Sequence, residues 1–179
     1  NLISLVRLAL VPVFVWLLVG RDNPFAAGWL LGFIGGTDWI DGYLARRLDQ
    51  VSEVGKILDP LADRVAVAAA LIAGLATGYL PGWFAIALIA REAVVALGAV
   101  VVAWRGHTSL PVRNLGKLAT LLLYAAIAWF FVGVEWAWSR YLAWIIGIPG
   151  LIAYYVVAVQ YAGDAIAAIR RADAGDQNG

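Results

Sequence analysis

Four aspartates crowd one stretch of an apolar chain: Asp38, Asp41, Asp59 and Asp63. The run reads Asp38-Trp-Ile-Asp41-Gly42-Tyr-Leu-Ala45-Arg46, then eight residues, then Gly55-Lys-Ile-Leu-Asp59-Pro-Leu-Ala-Asp63. Residues three or four apart on a helix share a face. Asp38 and Asp41 therefore share one, and Asp59 and Asp63 share another on the following helix, with Gly55 one turn earlier. A short turn near residue 50 joins the two helices. Asp41 and Asp59 each stand nine residues from it, Asp38 and Asp63 twelve and thirteen. In an antiparallel hairpin, equal distance from the turn means equal depth. The four carboxylates can then converge, provided the two faces rotate toward each other.

Such a group needs a counter-ion. One charged side chain within a membrane span costs roughly 3 kcal/mol on insertion scales, and less near the interface. Clustered carboxylates also repel one another or retain protons. Divalent cations relieve both penalties. An all-carboxylate set selects hard ions, so Mg²⁺ or Mn²⁺ is expected. Four carboxylates suffice for a two-metal site of the kind that clamps phosphoryl groups. Gly42 and Gly55 leave space beside the carboxylates for a bulky ligand. Pro60 falls near the start of its helix, where its missing N–H is harmless. A solvated cluster paired with Arg46, Arg47, Lys56 and Arg64 would explain any one aspartate better than it explains four at these spacings.

The elements that must hold these residues follow from composition. Of 179 residues, 63% are hydrophobic and only 14% charged, against about 25% charged in ordinary globular chains. The chain is expected to be an all-α integral membrane protein. Apolar segments run about 2–20, 24–46, 57–79, 83–104, 115–134 and 141–163, broken by short Pro- and Gly-containing links. They predict a six-transmembrane-helix bundle over 1–163 and a short cytoplasmic tail, 164–179, forming a brief helix that frays. Cysteine is absent, which excludes disulfides and thiolate metal sites. Methionine is absent too, which sets the expectation of further residues ahead of Asn1.

Ten basic residues fall on one side: Arg7, Arg46, Arg47, Lys56, Arg64, Arg105, Arg113, Lys117, Arg170 and Arg171. Arg21 and Arg140 fall on the other, and Arg91 lies mid-span. The positive-inside rule makes the rich side cytoplasmic and puts both termini there. Trp83, Trp104, Trp136 and Trp138 sit near span ends, as interfacial anchors do. Gly28, Gly32 and Gly36 form a small-residue stripe that suits close helix packing. Nothing in the chain points to nucleic acid.

The pattern Asp-x2-Asp-Gly-x2-Ala-Arg-x8-Gly-x3-Asp-x3-Asp resembles the signature of the CDP-alcohol phosphotransferases, with every fixed position present. Asn1-Leu-Ile-Ser-Leu-Val-Arg7 and Leu58-Asp59-Pro60-Leu61-Ala62-Asp63-Arg64 resemble stretches of phosphatidylglycerophosphate synthases and bacterial cardiolipin synthases. The resemblance implies a six-helix membrane bundle, commonly a homodimer, with its site open to the cytoplasm. Asp38, Asp41 and Asp59 would hold two metal ions, and Asp63 would complete the second ion's shell. The ions would grip the diphosphate of CDP-diacylglycerol. Gly42, Ala45, Arg46 and Gly55 would border the cytidine and its phosphate. Asp63 would also act as general base toward the acceptor hydroxyl, with CMP as leaving group.

The acceptor is read from the basic link Arg105-Gly-His107-Thr-Ser-Leu-Pro-Val-Arg113-Asn-Leu-Gly-Lys117. Arg113 and Lys117, four apart, together with Arg91, would bind an anionic acceptor. Glu92 is expected to face away from Arg91, which argues against a pair between them. Glycerophosphate-using enzymes usually carry Gly-Lys-x-Lys-Thr-x-x-Gln here. This chain reads Gly116-Lys117-Leu-Ala119-Thr120-Leu-Leu-Leu123, without the second lysine or the glutamine. That tips the reading slightly from glycerol 3-phosphate toward phosphatidylglycerol. Two other classes are weaker. Membrane prenyltransferases carry two separated aspartate motifs, and a divalent-cation transporter needs carboxylates at the bilayer midplane.

If Arg113 binds the acceptor, Arg113→Ala should raise the acceptor KM several-fold and leave the KM for CDP-diacylglycerol nearly unchanged. Steady-state kinetics with each substrate varied in turn would show this, and an unchanged acceptor KM removes Arg113 from the pocket.

Overall fold

A computed structural model of the chain describes residues 2–48, 53–104 and 114–176. Within them, the side chains of 2–4, 37–48, 53–61, 63, 99, 101–104, 114 and 164–176 are not described. The described residues form six α-helices: α1 (Leu2–Val15), α2 (Pro24–Leu48), α3 (Glu53–Thr77), α4 (Gly82–Trp104), α5 (Asn114–Val132) and α6 (Ala137–Asp176). A π-helical turn, Trp16–Gly20, extends α1. These bounds follow the apolar segments closely. The last element extends past the apolar segment 141–163, and α6 runs unbroken to Asp176. Its alanine-rich continuation, Ala165 to Ala172, has high helix propensity and no breaker.

Local chemistry sets the ends. Asn23 caps α2, its Oδ1 accepting the Ala26 N–H at 2.9 Å, and Pro24 occupies the first helical position, where no N–H is needed. Gly78 takes φ +76° after α3, and the Leu80 N–H returns to the Gly74 carbonyl at 3.1 Å. This closes the helix in the manner of a left-handed C-terminal cap. Between α5 and α6 the buried Ser139 hydroxyl bonds the Trp136 carbonyl at 2.8 Å.

Helix α1 packs chiefly on α3 and also touches α2, α2 lies on α5, α5 lies on α6, and α4 joins α3 and α6. The main core gathers Phe14, Leu31, Leu71, Phe84, Phe130 and Phe131. A second, smaller cluster joins Val11 of α1, Ile34 of α2 and Ala66 of α3. The outer surface is apolar as well. Phe33, Ile72, Leu97, Ile145 and Val159 are each more than 60% exposed. Water-facing surfaces rarely carry apolar patches on this scale, whereas lipid tolerates them. Among the described residues, Leu115–Val132 and Ala137–Gly163 are each long and apolar enough to cross a membrane. Shorter apolar lengths occupy Leu5–Gly20, Pro24–Gly36 and Arg64–Thr77.

Aromatic rings collect at the end where α2 and α6 begin. Trp29 meets Trp129 and Trp136 edge-on, and Trp83 stacks on Trp144 with centroids 5.4 Å apart. Arg21 covers the Trp16 ring. At the same end the Tyr79 hydroxyl donates to Asp22 at 2.5 Å. That bond holds the phenol above its ordinary pKa.

The glycine stripe on α2 is not uniform. A Cβ on Gly28 would meet the Ala128 carbonyl oxygen at 2.8 Å and Phe131 Cβ at 2.9 Å, so α5 rests on it. At Gly32 the nearest atom is 3.9 Å away, and at Gly36 nothing described lies within 4 Å. Gly35, outside the stripe, carries the second close approach, against the Tyr124 ring at 2.5 Å. A four-residue repeat drifts around a helix of 3.6 residues per turn, so the contact moves from Gly28 to Gly35, two turns on.

Gly28→Ala should therefore push α2 from α5 and cost about 1–3 kcal/mol, as over-packing does. Thermal unfolding in detergent should show a Tm several degrees lower for Gly28→Ala and little change for Gly36→Ala. An unaltered Tm for Gly28→Ala would refute the close contact.

Candidate active site

The aspartates stand on the two helices expected. Asp38 and Asp41 lie on α2, and Asp59 and Asp63 lie on α3. Their side chains, with those of Gly42, Ala45, Arg46 and Gly55, fall outside the described residues, as does the link 49–52. The register of the two helices is nevertheless set by residues that are described. Ile34 and Ala66 bury in one cluster, at 1% and 2% exposure. Each is thirteen or fourteen residues from its end of the link. Two helical arms of equal length whose far ends share a cluster with Val11 of α1 must fold back antiparallel.

That register fixes relative heights. Asp41 is seven residues beyond Ile34, and Asp59 is seven residues before Ala66. Both positions are two turns, about 10 Å, from the cluster and on the faces that bury there. Asp38 and Asp63 are four and three residues from the same anchors, about 5–6 Å away. Ala62, Ala66 and Ala70 are all buried. They continue toward the far end of α3 the face on which Asp59 and Asp63 lie. If these four positions hold an ion, their donors are carboxylate only, which suits a hard divalent ion.

The three acceptor candidates separate. Arg113 lies outside the described residues. Lys117 is exposed on the first turn of α5. Arg91 is 7% exposed on α4, and here the expectation about its neighbour fails. Arg91 Nη1 lies 3.0 Å from Glu92 Oε1. The guanidinium also lies over the Tyr154 ring of α6, 3.5 Å from its centroid, and the Tyr154 hydroxyl donates to the same Glu92 oxygen. Helical wheels place successive residues about 100° apart, but a long arginine can reach sideways. Between apolar helices the cost of an unpaired ion drives that reach. Arg91 Nε has no hydrogen-bond partner among the described residues. Helix α4, which carries Arg91, packs on α3.

Sequence reading missed Glu92, Tyr154 and Arg7. Nothing in the sequence marks Tyr154, whose role depends on α6 crossing α4. Arg7 had a signal. It is an arginine inside an apolar helix and four residues before Val11, yet it counted only toward side-to-side charge bias and as the end of the stretch 1–7. It is 3% exposed. On α5, Ala119 is fully buried and Leu123 is 4% exposed, both within the main core. The Thr120 hydroxyl is occupied by the Lys117 carbonyl at 2.9 Å.

The bundle is apolar within and without, and the aspartate positions of α2 and α3 stand at matching heights along their helices. A family model described as CDP-alcohol phosphatidyltransferase matches residues 1–158, and the chain belongs to the CDP-alcohol phosphatidyltransferase family. It is accordingly a transferase of phospholipid synthesis, in a family of membrane-bound enzymes that generally use divalent metals. A Mycobacterium tuberculosis protein provisionally named a cardiolipin synthase is 37% identical over 171 residues, covering 90% of this chain and 79% of its own. A Streptomyces coelicolor protein named cardiolipin synthase (CMP-forming) is 35% identical over 152 residues, covering 82% and 71%. An Escherichia coli protein named CDP-diacylglycerol–glycerol-3-phosphate 3-phosphatidyltransferase is 34% identical over 166 residues, covering 89% and 86%. The names of these relatives divide between two acceptors.

Tyr154→Phe keeps the ring under Arg91 and removes the donor to Glu92. It should cost about 1 kcal/mol of stability, seen as a Tm lowered by a few degrees. Equal thermal stability of the variant would show that the hydroxyl bond contributes nothing.

Proposed function

We propose that this chain transfers the phosphatidyl group of CDP-diacylglycerol to the terminal glycerol hydroxyl of phosphatidylglycerol, forming cardiolipin and CMP. The observation that carries the acceptor is the burial of Ala119 and Leu123. Glycerophosphate-using relatives of this kind usually place a lysine and a glutamine at these two positions. Here both pack into the apolar core, so that face of α5 offers no donors for a small dianion. A lipid acceptor brings its own apolar contacts and a single phosphodiester charge, and needs fewer such donors. The second reading, glycerol 3-phosphate as acceptor, draws on the Escherichia coli relative's name.

The reaction follows from the carboxylates. Asp38, Asp41, Asp59 and Asp63 would hold two ions, Mg²⁺ or Mn²⁺. Bound there, the ions would neutralise the diphosphate and make its lipid-side phosphorus more electrophilic. Gly42 and Gly55 leave room for the cytidine, with Ala45 and Arg46 at its border. Asp63 accepts the proton of the acceptor hydroxyl as the oxygen attacks that phosphorus. The bond to the bridging oxygen breaks, and CMP departs with the electron pair. Arg91, Arg113 and Lys117 orient the acceptor's phosphate. Positioning and charge neutralisation supply most of the rate.

The same reading takes all six helices as spans, in one domain over 1–163 with a tail to 179. Both termini and the site lie on the cytoplasmic side of the cell membrane, and the chain pairs as a homodimer. The basic asymmetry, the exposed apolar surface and the aromatic end opposite the aspartates support it.

The test is turnover. Purified chain with CDP-diacylglycerol and Mg²⁺ or Mn²⁺ should release CMP and yield cardiolipin when given phosphatidylglycerol. Yield with glycerol 3-phosphate should be at least tenfold lower, and Asp63→Asn should abolish release with either. Phosphatidylglycerophosphate as the main product would transfer the assignment to the second reading. No CMP with either acceptor would overturn both.

A further inference from the structure

Arg7 is a buried cation for which the proposed chemistry has no role. It is 3% exposed on α1, the helix that packs on both α2 and α3. It stands one turn before Val11, on the same face, and Val11 buries against Ile34 and Ala66. Helix α1 descends alongside α3 and opposite to α2. One turn from Val11 toward the chain start is about 6 Å. Asp38 and Asp63 stand about 5–6 Å from the same cluster in the same direction. Arg7 and these two aspartates therefore occupy one layer across three helices.

The inventory of acids narrows its partner. The chain has twelve acidic residues. Asp22 and Glu135 lie at the opposite end of the bundle, and Glu92 is held by Arg91 and Tyr154. Asp49 and Glu53 flank the link, and Asp164, Asp173 and Asp176 follow the apolar part of α6. The four aspartates of α2 and α3 are the acids on the two helices against which α1 packs at this level. Arginine does not release its proton when buried, and a buried guanidinium needs an anion beside it. Arg7 is indeed engaged in the structure.

We propose that Arg7 is a positioning residue of the carboxylate site. Its guanidinium stands in the layer of Asp38 and Asp63 as a fixed counter-charge while no metal is bound, and gives way to the incoming ions. This rests on the reading of the four aspartates as metal ligands. The consequence is a competition. A fixed cation stabilises the empty site and repels the ion that enters, so metal affinity is set lower than four carboxylates alone would give. The orientation it imposes is what turnover requires.

The experiment is Mn²⁺ binding to the purified chain in detergent, read from the free-ion electron paramagnetic resonance signal, alongside CMP release. Arg7→Gln should bind Mn²⁺ at least threefold more tightly than the unaltered chain while turning over at least tenfold more slowly. Arg7→Lys, which keeps the charge and loses the planar fork, should keep Mn²⁺ affinity within about twofold. Unchanged or weaker Mn²⁺ binding by folded Arg7→Gln overturns the proposal. If Arg7→Gln does not fold, Tm decides through Arg7→Lys and Asp38→Asn. The counter-charge predicts that their effects on Tm are non-additive, and additive effects overturn it. Failure of the unaltered chain to bind Mn²⁺ at all would defeat the metal-site reading itself. Binding by the unaltered chain with no response to Arg7 defeats only this inference.

Discussion

Carboxylates grouped at the edge of a bilayer impose one constraint on everything around them: their charge must be met. Water meets it poorly there, and neighbouring carboxylates make it worse. Cations have to be supplied, either as bound ions or as protein side chains. The bundle is arranged to permit both. Helices α2 and α3 bring four aspartate positions into register. Helix α1, wedged against both, carries a buried arginine at the same level. Under the proposed function, a site that alternated between empty and loaded states would gain from one fixed positive charge close by, and a reaction on a diphosphate would gain from two bound ions.

The rest of the interior serves that registration. Ile34, Ala66 and Val11 form a small apolar anchor directly above the aspartate layer. The larger aromatic and aliphatic core lies beyond it, toward the far end of the bundle. Close approach at Gly28 and Gly35 draws α2 onto α5, which holds the first arm of the hairpin. The second arm is held by α1 and α4. Rigid packing at one end thus fixes geometry at the other, where the chemistry leaves little room for displacement.

The α4–α6 side is built on different terms. Arg91 is not an isolated cation. It is shared among a carboxylate, a phenol and an aromatic face. That arrangement neutralises much of its charge and fixes the plane of its guanidinium. Together with the apolar burial of Ala119 and Leu123, it makes the α4–α5–α6 side less cationic than a count of basic residues suggests.

Much of this was legible in the sequence, for a physical reason. The spacing of Asp38, Asp41, Asp59 and Asp63 is a local property, and a helical hairpin converts it directly into depth. Apolar segment lengths, Pro24 and the Pro81-Gly82 break mark the helix ends through backbone chemistry that operates within a few residues. What only the tertiary structure decided depends on helices far apart in sequence. The pair between Arg91 and Glu92 forms because Tyr154 of α6 closes over it. Gly35 rather than Gly36 matters because α5 crosses there. Arg7 is buried because α1 packs against both α2 and α3. In a chain whose helices are apolar all round, periodicity cannot say which face meets which neighbour. The sequence determined the depth of each charged group, and packing alone determined its company.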